Sequence, residues 1–123
     1  MAIGDRPQAF HWGDLLTETV LPGIDRQRID GERMTIVRYV YAPGSVFPAH
    51  SHPEEQITVV LSGEIEFDVD GQLEQATAGS VIVIPPNAVH GARILGDQQV
   101  ETLNVLSPRR TRDVFYAASH TCL

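Results

Sequence analysis

Short runs of β-branched and aromatic residues, separated by turn residues, fill most of the chain from residue 33 onwards. Between residues 64 and 69, Ile65, Phe67 and Val69 alternate with three acidic residues, which indicates a strand with one buried face. Asp70-Gly71 follows directly and is a strong hairpin-turn signal. The same reasoning predicts further strands at Met34 to Tyr41, Ile57 to Leu61, Leu73 to Ala76, Val81 to Ile84, Ala92 to Leu95 and Val100 to Leu106. Many short strands with regular Gly, Pro and Asp between them predict an all-β barrel.

The 123 residues are enough for one domain, and the pattern divides them into three parts. Residues 1–32 are rich in Gly, Pro and Asp and only weakly periodic, which predicts an N-terminal arm. Residues 33–107 form the predicted barrel, and residues 108–123 form a C-terminal tail. We predict no helix of useful length in the barrel.

Composition narrows the function mainly by exclusion. The formal net charge of −7 argues against nucleic acid or an anionic membrane as a partner. All nine basic residues are arginines, so catalysis through a lysine Schiff base is impossible. The single cysteine, Cys122, excludes an intrachain disulfide and fits a reducing compartment. Neither a signal peptide nor a run of about 20 apolar residues is evident, so we expect a cytoplasmic location.

Three of the five histidines lie in two short segments that predict a metal site. His50 and His52 are two residues apart, so on a strand both imidazoles point to the same face. Gln56 lies an even number of residues further on and can share that face, and His90 closes the second segment. Neutral imidazoles and an amide oxygen suit a divalent transition metal, with Fe, Ni, Zn, Mn and Co all compatible. Such a neutral ligand set leaves the charge of the cation uncompensated and favours an anionic ligand or an enolate oxygen.

The spacing of these residues resembles the two motifs of the cupin family. The first motif runs Gly44, five residues, His50-Ser51-His52, three residues, Gln56, six residues, Gly63. The second runs Gly79, five residues, Pro85-Pro86-Asn87, two residues, His90, three residues, Ile94. The resemblance covers residues 33 to 107 and implies a single cupin barrel, a double-stranded β-helix or jelly roll. It also implies a homodimer, because the arms of cupins often pair with a second subunit.

Three positions depart from the usual cupin motifs. Gln56 stands where a glutamate is usual and removes both a negative ligand and a candidate general base. Asn87 replaces a turn glycine, a mild change because asparagine tolerates a left-handed conformation. Ile94 replaces the final asparagine.

Among cupins, the chain looks most like small bacterial proteins that open the rings of unsaturated uronic acids and use three His and one Gln around the metal. They carry a segment like Asp-Val-Phe-Ser-Pro-Pro-Arg after the last ligand, and the matching segment here is Asn104-Val105-Leu106-Ser107-Pro108-Arg109-Arg110. The resemblance implies that Arg110 binds a substrate carboxylate, for which a guanidinium offers two parallel donors. Asn104 replaces the functional aspartate of that family, so we expect it to form hydrogen bonds near the metal rather than to move protons.

Other residues around the site have open roles. Glu55 could replace Gln56 as a ligand, although strand alternation argues against it, and it is one candidate for the general base. A tyrosine (Tyr39 or Tyr41) or a water molecule at the metal are the other candidates. As a pair, Glu54 and Glu55 also fit a solvated position near a turn.

Three classes of function follow. The first is a non-redox isomerase, lyase or cyclase that acts on a small, oxygen-rich carbonyl compound, such as a uronate, a keto acid or a polyketide, by stabilising an enolate. The second is a dioxygenase that uses Fe(II) or Ni(II) and O2. The third is a non-catalytic module that binds a sugar or another small molecule.

Overall fold

Ten antiparallel strands make up most of residues 6–110, the part of the chain that this computed structural model describes. They are β1 (Glu18–Leu21), β2 (Ile24–Asp30), β3 (Thr35–Tyr41), β4 (Val46–His50), β5 (Glu55–Ser62), β6 (Glu64–Val69), β7 (Gln72–Thr77), β8 (Val81–Ile84), β9 (His90–Leu95) and β10 (Val100–Ser107). One 3-10 turn at Trp12–Asp14 precedes them. Within residues 6–110 there is no helix of the length and apolar character needed to cross a bilayer. Tail residues 111–123, with Cys122, lie outside the described part.

The strands form two facing sheets. Six strands pair in the order β1-β2-β3-β10-β5-β8, and four pair in the order β4-β9-β6-β7. Side chains from both sheets meet in one apolar core, which includes Ile24, Val37, Val60, Ile65, Phe67, Ile94 and Val100. This architecture confirms the predicted all-β jelly-roll class.

All seven strands predicted from the pattern are present within a few residues of their expected ends. The arm predicted for residues 1–32 contains two strands that the pattern did not indicate. β2 pairs with β3 along its whole length, from Ile24 opposite Tyr41 to Asp30 opposite Thr35. The strand has no simple alternation of apolar residues, because its buried positions include the polar Arg26 and Gln27.

Two turns confirm the backbone expectations. Asp70 and Gly71 both have positive φ, 51° and 84°, and connect β6 to β7 through a two-residue hairpin. Asn87 has a φ of 66°, so the asparagine that replaces the usual turn glycine does adopt the left-handed conformation.

Gly91 lies where β4 and β9 approach each other most closely. A Cβ atom added there would lie 2.8 Å from the carbonyl oxygen of Phe47 and 3.1 Å from the backbone nitrogen of Ala49. These are backbone atoms, so a side chain cannot be accommodated unless the strands move apart.

We therefore predict that Gly91→Ala destabilises the fold by about 1–3 kcal/mol, as overpacking does elsewhere. Urea unfolding of the metal-free protein measures this change. Gly31→Ala is the matched control, because the nearest atom to a Cβ there is 3.4 Å away. Equal stability of the two variants would show that β4 and β9 do not need this close approach.

Candidate metal centre

The pairing of β4 with β9 places two imidazoles side by side. His50 at the end of β4 lies directly opposite His90 at the start of β9, and their ring centroids are 4.3 Å apart. His52 follows two residues later, and its carbonyl accepts a hydrogen bond from the Asn87 N–H at 2.8 Å. One ring nitrogen from each histidine lies within 4.8 Å of the others, and all three residues are buried.

Backbone carbonyls determine which ring nitrogens carry protons. Nδ1 of His50 lies 2.8 Å from the Pro48 oxygen, Nδ1 of His52 lies 3.0 Å from the Glu54 oxygen, and Nδ1 of His90 lies 2.9 Å from the Ala88 oxygen. A carbonyl only accepts, so each Nδ1 must donate a proton. Each neutral ring therefore keeps its Nε2 lone pair, which is the form that binds a metal.

The environment keeps the three imidazoles neutral. Burial, followed by the influence of His90, lowers the pKa of His50 to about 3 and that of His52 to about 4. Burial is also the main reason why the pKa of His90 is lowered, and the nearby Arg110 charge contributes. At neutral pH, protons therefore do not compete for the Nε2 atoms.

Gln56 presents its amide oxygen to the same point. The Oε1 atom lies 3.1 Å from Nε2 of His52, and since that nitrogen is unprotonated, two lone pairs face each other. Nε2 of His90 is buried and has no hydrogen-bond partner among residues 6–110. A bound cation resolves both features, because it gives each lone pair a positive partner. The donor set of three imidazoles and one amide oxygen thus fits a divalent transition metal.

A chain of hydrogen bonds sets the orientation of the Gln56 amide. Asn104 Nδ2 donates to the Val37 carbonyl at 3.1 Å and to Thr102 Oγ1 at 2.9 Å, so its Oδ1 points the other way. That oxygen accepts from Gln56 Nε2 at 3.2 Å and from Thr58 Oγ1 at 2.7 Å. With its nitrogen held by Asn104 and Thr58, Gln56 must turn its oxygen towards His52. The Val37 carbonyl, which can only accept, ultimately sets the orientation of both amides.

A cavity with about 410 Å³ of empty space, counting its open mouth, lies over the imidazoles. Most of the exposed wall is apolar, but seven of the twelve lining residues also carry a polar group: Tyr39, Tyr41, His50, Gln56, His90, Asn104 and Arg110. The cavity thus combines an apolar wall with several polar groups.

Arg110 reaches the cavity although it belongs to the tail predicted from the sequence. Arg110 is 2% exposed. Its backbone N–H donates to Thr35 Oγ1 at 3.0 Å, and its backbone carbonyl accepts a hydrogen bond from the Arg28 side chain. Its Nε atom is buried without a hydrogen-bond partner among residues 6–110. Arg109, its neighbour, is exposed. The two arginines therefore differ in burial, and composition alone does not predict this difference.

The two glutamates between the ligands have different surroundings. Glu55, considered from the sequence as a ligand or base, is exposed and does not line the cavity, while Gln56 faces His52 as strand alternation predicted. Glu54 is buried, with its Oε1 atom 3.6 Å from Arg110 Nη2 and 3.5 Å from His52 Nδ1. The acidic side chain at this site is thus Glu54, which the sequence had suggested to be solvated.

Sequence reasoning also missed the threonines that support the ligands. Thr58 and Thr102 are fully buried, in β5 and β10. The sequence signal that could have identified them is a polar residue on the inward face of a strand. The neighbouring inward positions are Val60 on β5, and Asn104 and Leu106 on β10.

The fold and the site together define the class of protein: a two-sheet β-barrel with a candidate metal centre among its buried imidazoles. The family model for the cupin domain matches residues 37–106, more than half of the chain, and the chain belongs to the cupin family. This confirms the resemblance found in the two motifs.

Individual relatives extend the comparison. The chain is 36% identical over 78 residues to the H2HPP isomerase of Bacillus subtilis, covering 63% of this chain and 33% of that protein. It is 31% identical over 70 residues to the polyketide synthase CurC of Streptomyces cyaneus, covering 56% of this chain and 46% of that protein. The chain thus spans between a third and a half of these two relatives.

Solved structures show the same fold over more of the chain. KdgF from Halomonas sp. superposes with a TM-score of 0.80 at 26% identity, covering 86% of this chain and 97% of that one. An RmlC-like cupin from Shewanella frigidimarina gives a TM-score of 0.78 at 24% identity, covering 86% and 95%.

The amide chain gives a testable prediction for the ligand set. Asn104→Leu removes one of the two acceptors of Gln56 Nε2 and leaves the Thr58 hydroxyl without its own acceptor, so we expect Ni(II) affinity to fall about 10- to 100-fold, as is usual when a partner of a metal ligand is lost. In a Gln56→Glu background the same change should cost far less, because a carboxylate has two equivalent oxygens and needs no orientation. Calorimetric Ni(II) titration of the four proteins measures both effects. An equal loss in the two backgrounds would contradict the orienting role of Asn104.

Proposed function

We propose that the protein is a metal-dependent, non-redox isomerase, lyase or cyclase acting on a small carbonyl compound that carries a carboxylate. The single observation that carries the proposal is the convergence of one ring nitrogen from each of His50, His52 and His90 with the Gln56 oxygen, beside a cavity that Arg110 also lines. The isomerase and polyketide synthase relatives, together with KdgF, support a small-molecule substrate of this kind. Uronates, keto acids and polyketides are the substrate classes that we consider.

A divalent cation held by His50, His52, His90 and Gln56 would polarise a carbonyl oxygen and stabilise the charge of an enolate. Arg110 supplies the second anchor. Its unpartnered Nε–H and its Nη groups can donate to a carboxylate, and the bonds of its backbone to Thr35 and Arg28 hold it at the cavity wall. Two anchors determine which carbon of the substrate faces the remaining polar groups.

Proton transfer falls to the residues that line the cavity. Glu55 is outside it, and the Asn104 amide is occupied by four hydrogen bonds and has no proton to exchange at neutral pH. Tyr39 and Tyr41 both line the cavity, and the buried Arg26 hydrogen-bonds to Tyr39. We assign the proton transfer to one of these two phenols. The apolar part of the wall includes Phe47 and Phe67.

The first test is elemental analysis of tagless protein purified without added metal or chelator. We expect about one divalent transition metal per chain, and we expect its loss from a folded His50→Ala/His90→Ala variant. The metal-loaded protein is then screened, without oxygen, with 2-oxo acids and unsaturated uronates in D2O. NMR follows isomerisation and hydrogen exchange.

Arg110→Gln should raise KM for a carboxylate substrate at least tenfold, because a charge-assisted hydrogen bond contributes about 1.5–3 kcal/mol.

Three other results of these tests would contradict the proposal. Turnover that consumes oxygen and stops without it would establish the dioxygenase instead. Ligand binding without turnover, with or without metal, would establish a binding module. Metal content in the double variant equal to that of the wild type would contradict the ligand assignment.

A homodimer is the second part of the proposal. Residues on the outer face of β5 and β8 leave an apolar surface exposed: Ile57 39%, Leu61 43%, Val81 57% and Val83 57%. Ile57 lies opposite Val83 in the register, and β8 is an edge strand of its sheet. Apolar residues at an exposed sheet edge favour pairing with another chain, and a second copy offers the same surface in return.

Light scattering after size exclusion measures the state of the protein. We expect a dimer for the wild type and a monomer for Val83→Asp. Leu73→Asp, which places the same charge at a residue 59% exposed on the other sheet, should remain a dimer. A monomeric wild type would contradict this part of the proposal. The cytoplasmic location stays a prediction from the sequence.

A further inference from the structure

Glu54 is a buried carboxylate with two neighbours that carry chemistry. Its side chain is 3% exposed, and Oε1 lies 3.6 Å from the Arg110 Nη2 atom and 3.5 Å from His52 Nδ1. Its backbone oxygen also accepts the His52 Nδ1 proton at 3.0 Å. Glu54 thus contacts both a candidate metal ligand and the candidate carboxylate-binding residue, although it is absent from the cavity wall.

The charges around the candidate centre depend on this contact. His50, His52, His90 and Gln56 are neutral donors, so they bring no negative charge towards a divalent cation. Arg110 brings a full positive charge to the same cavity, at a position with 2% exposure where water screens little. An uncompensated guanidinium at that position would oppose a cation at the imidazoles. Among residues 6–110, Glu54 is the acidic residue in contact with Arg110, so it offsets this charge.

We infer that Glu54 is a positioning residue that makes a cation site and a guanidinium compatible in one cavity. Its carboxylate offsets the positive charge of Arg110, holds one edge of the guanidinium so that Nε remains turned to the cavity, and supports the His52 ring from its Nδ1 side. The Glu54 carboxylate contacts a metal ligand without being one. It thereby supplies the negative charge that a glutamate at position 56 would have supplied directly. This inference rests on the metal site of the proposed function.

Calorimetric titration of the purified chelator-treated protein with Ni(II), and separately with Mn(II), tests the inference without any substrate. Glu54→Gln leaves the positive charge of Arg110 uncompensated, and we expect the Kd for both metals to rise at least tenfold. Glu55→Gln is the matched control, because it removes the same charge from the adjacent exposed residue, and we expect less than a twofold change. Arg110→Gln should bind metal at least as tightly as the wild type.

The double variant Glu54→Gln/Arg110→Gln separates charge balance from structural support. If Glu54 acts by offsetting Arg110, the double variant recovers most of the affinity that Glu54→Gln loses, to within about threefold of the wild type. A role in packing alone predicts the opposite, since the second substitution would add to the damage. Circular dichroism and thermal unfolding of each metal-free variant establish that the barrel is folded.

Two results would overturn the inference while leaving the proposed function intact: equal affinities for Glu54→Gln and Glu55→Gln, or no recovery in the double variant. A wild-type protein that binds neither metal would overturn the metal site itself, and the proposed function with it. The outcomes are therefore distinguishable within a single set of titrations.

Discussion

The hydrogen bonds from the three Nδ1 atoms to backbone carbonyls are the interactions on which the site depends. Each carbonyl belongs to a residue two positions from its histidine, at Pro48, Glu54 and Ala88. The backbone therefore sets the ring orientation and the tautomer together, and three Nε2 lone pairs converge. Burial then keeps the rings neutral, since the charged form of each would lose its hydration.

A second set of constraints turns one amide into a candidate ligand. The shape of the Gln56 side chain does not determine which amide atom faces His52, because its nitrogen and oxygen are alike in size. Its orientation is set through Asn104, whose Nδ2 donates to the Val37 carbonyl on β3. The usual cupin glutamate needs no such support, since its oxygens are equivalent. Gln56 and Asn104 are thus connected physically: an amide ligand needs a neighbour that accepts a hydrogen bond from its nitrogen.

Sequence reasoning was most accurate where a local pattern has a local cause. Alternation and short runs of β-branched residues predicted seven of the ten strands, and the Asp70-Gly71 signal predicted a hairpin whose φ angles agree with it. It missed β2, where the buried polar residues Arg26 and Gln27 interrupt the alternation of apolar positions. It also did not separate the buried Glu54 from the exposed Glu55, because the contact of Glu54 with Arg110 joins residues 56 positions apart.

The chain by itself determined the fold class and the spacing of His50, His52, Gln56 and His90, because strand periodicity and motif spacing are local properties. Only the tertiary structure decided which side chains surround them. Antiparallel pairing of β4 with β9 sets His50 against His90, and pairing of β10 with β5 brings Asn104 to Gln56. Such contacts join residues 40 or more positions apart. Their polarity follows from which backbone groups remain to be satisfied once the sheets have formed.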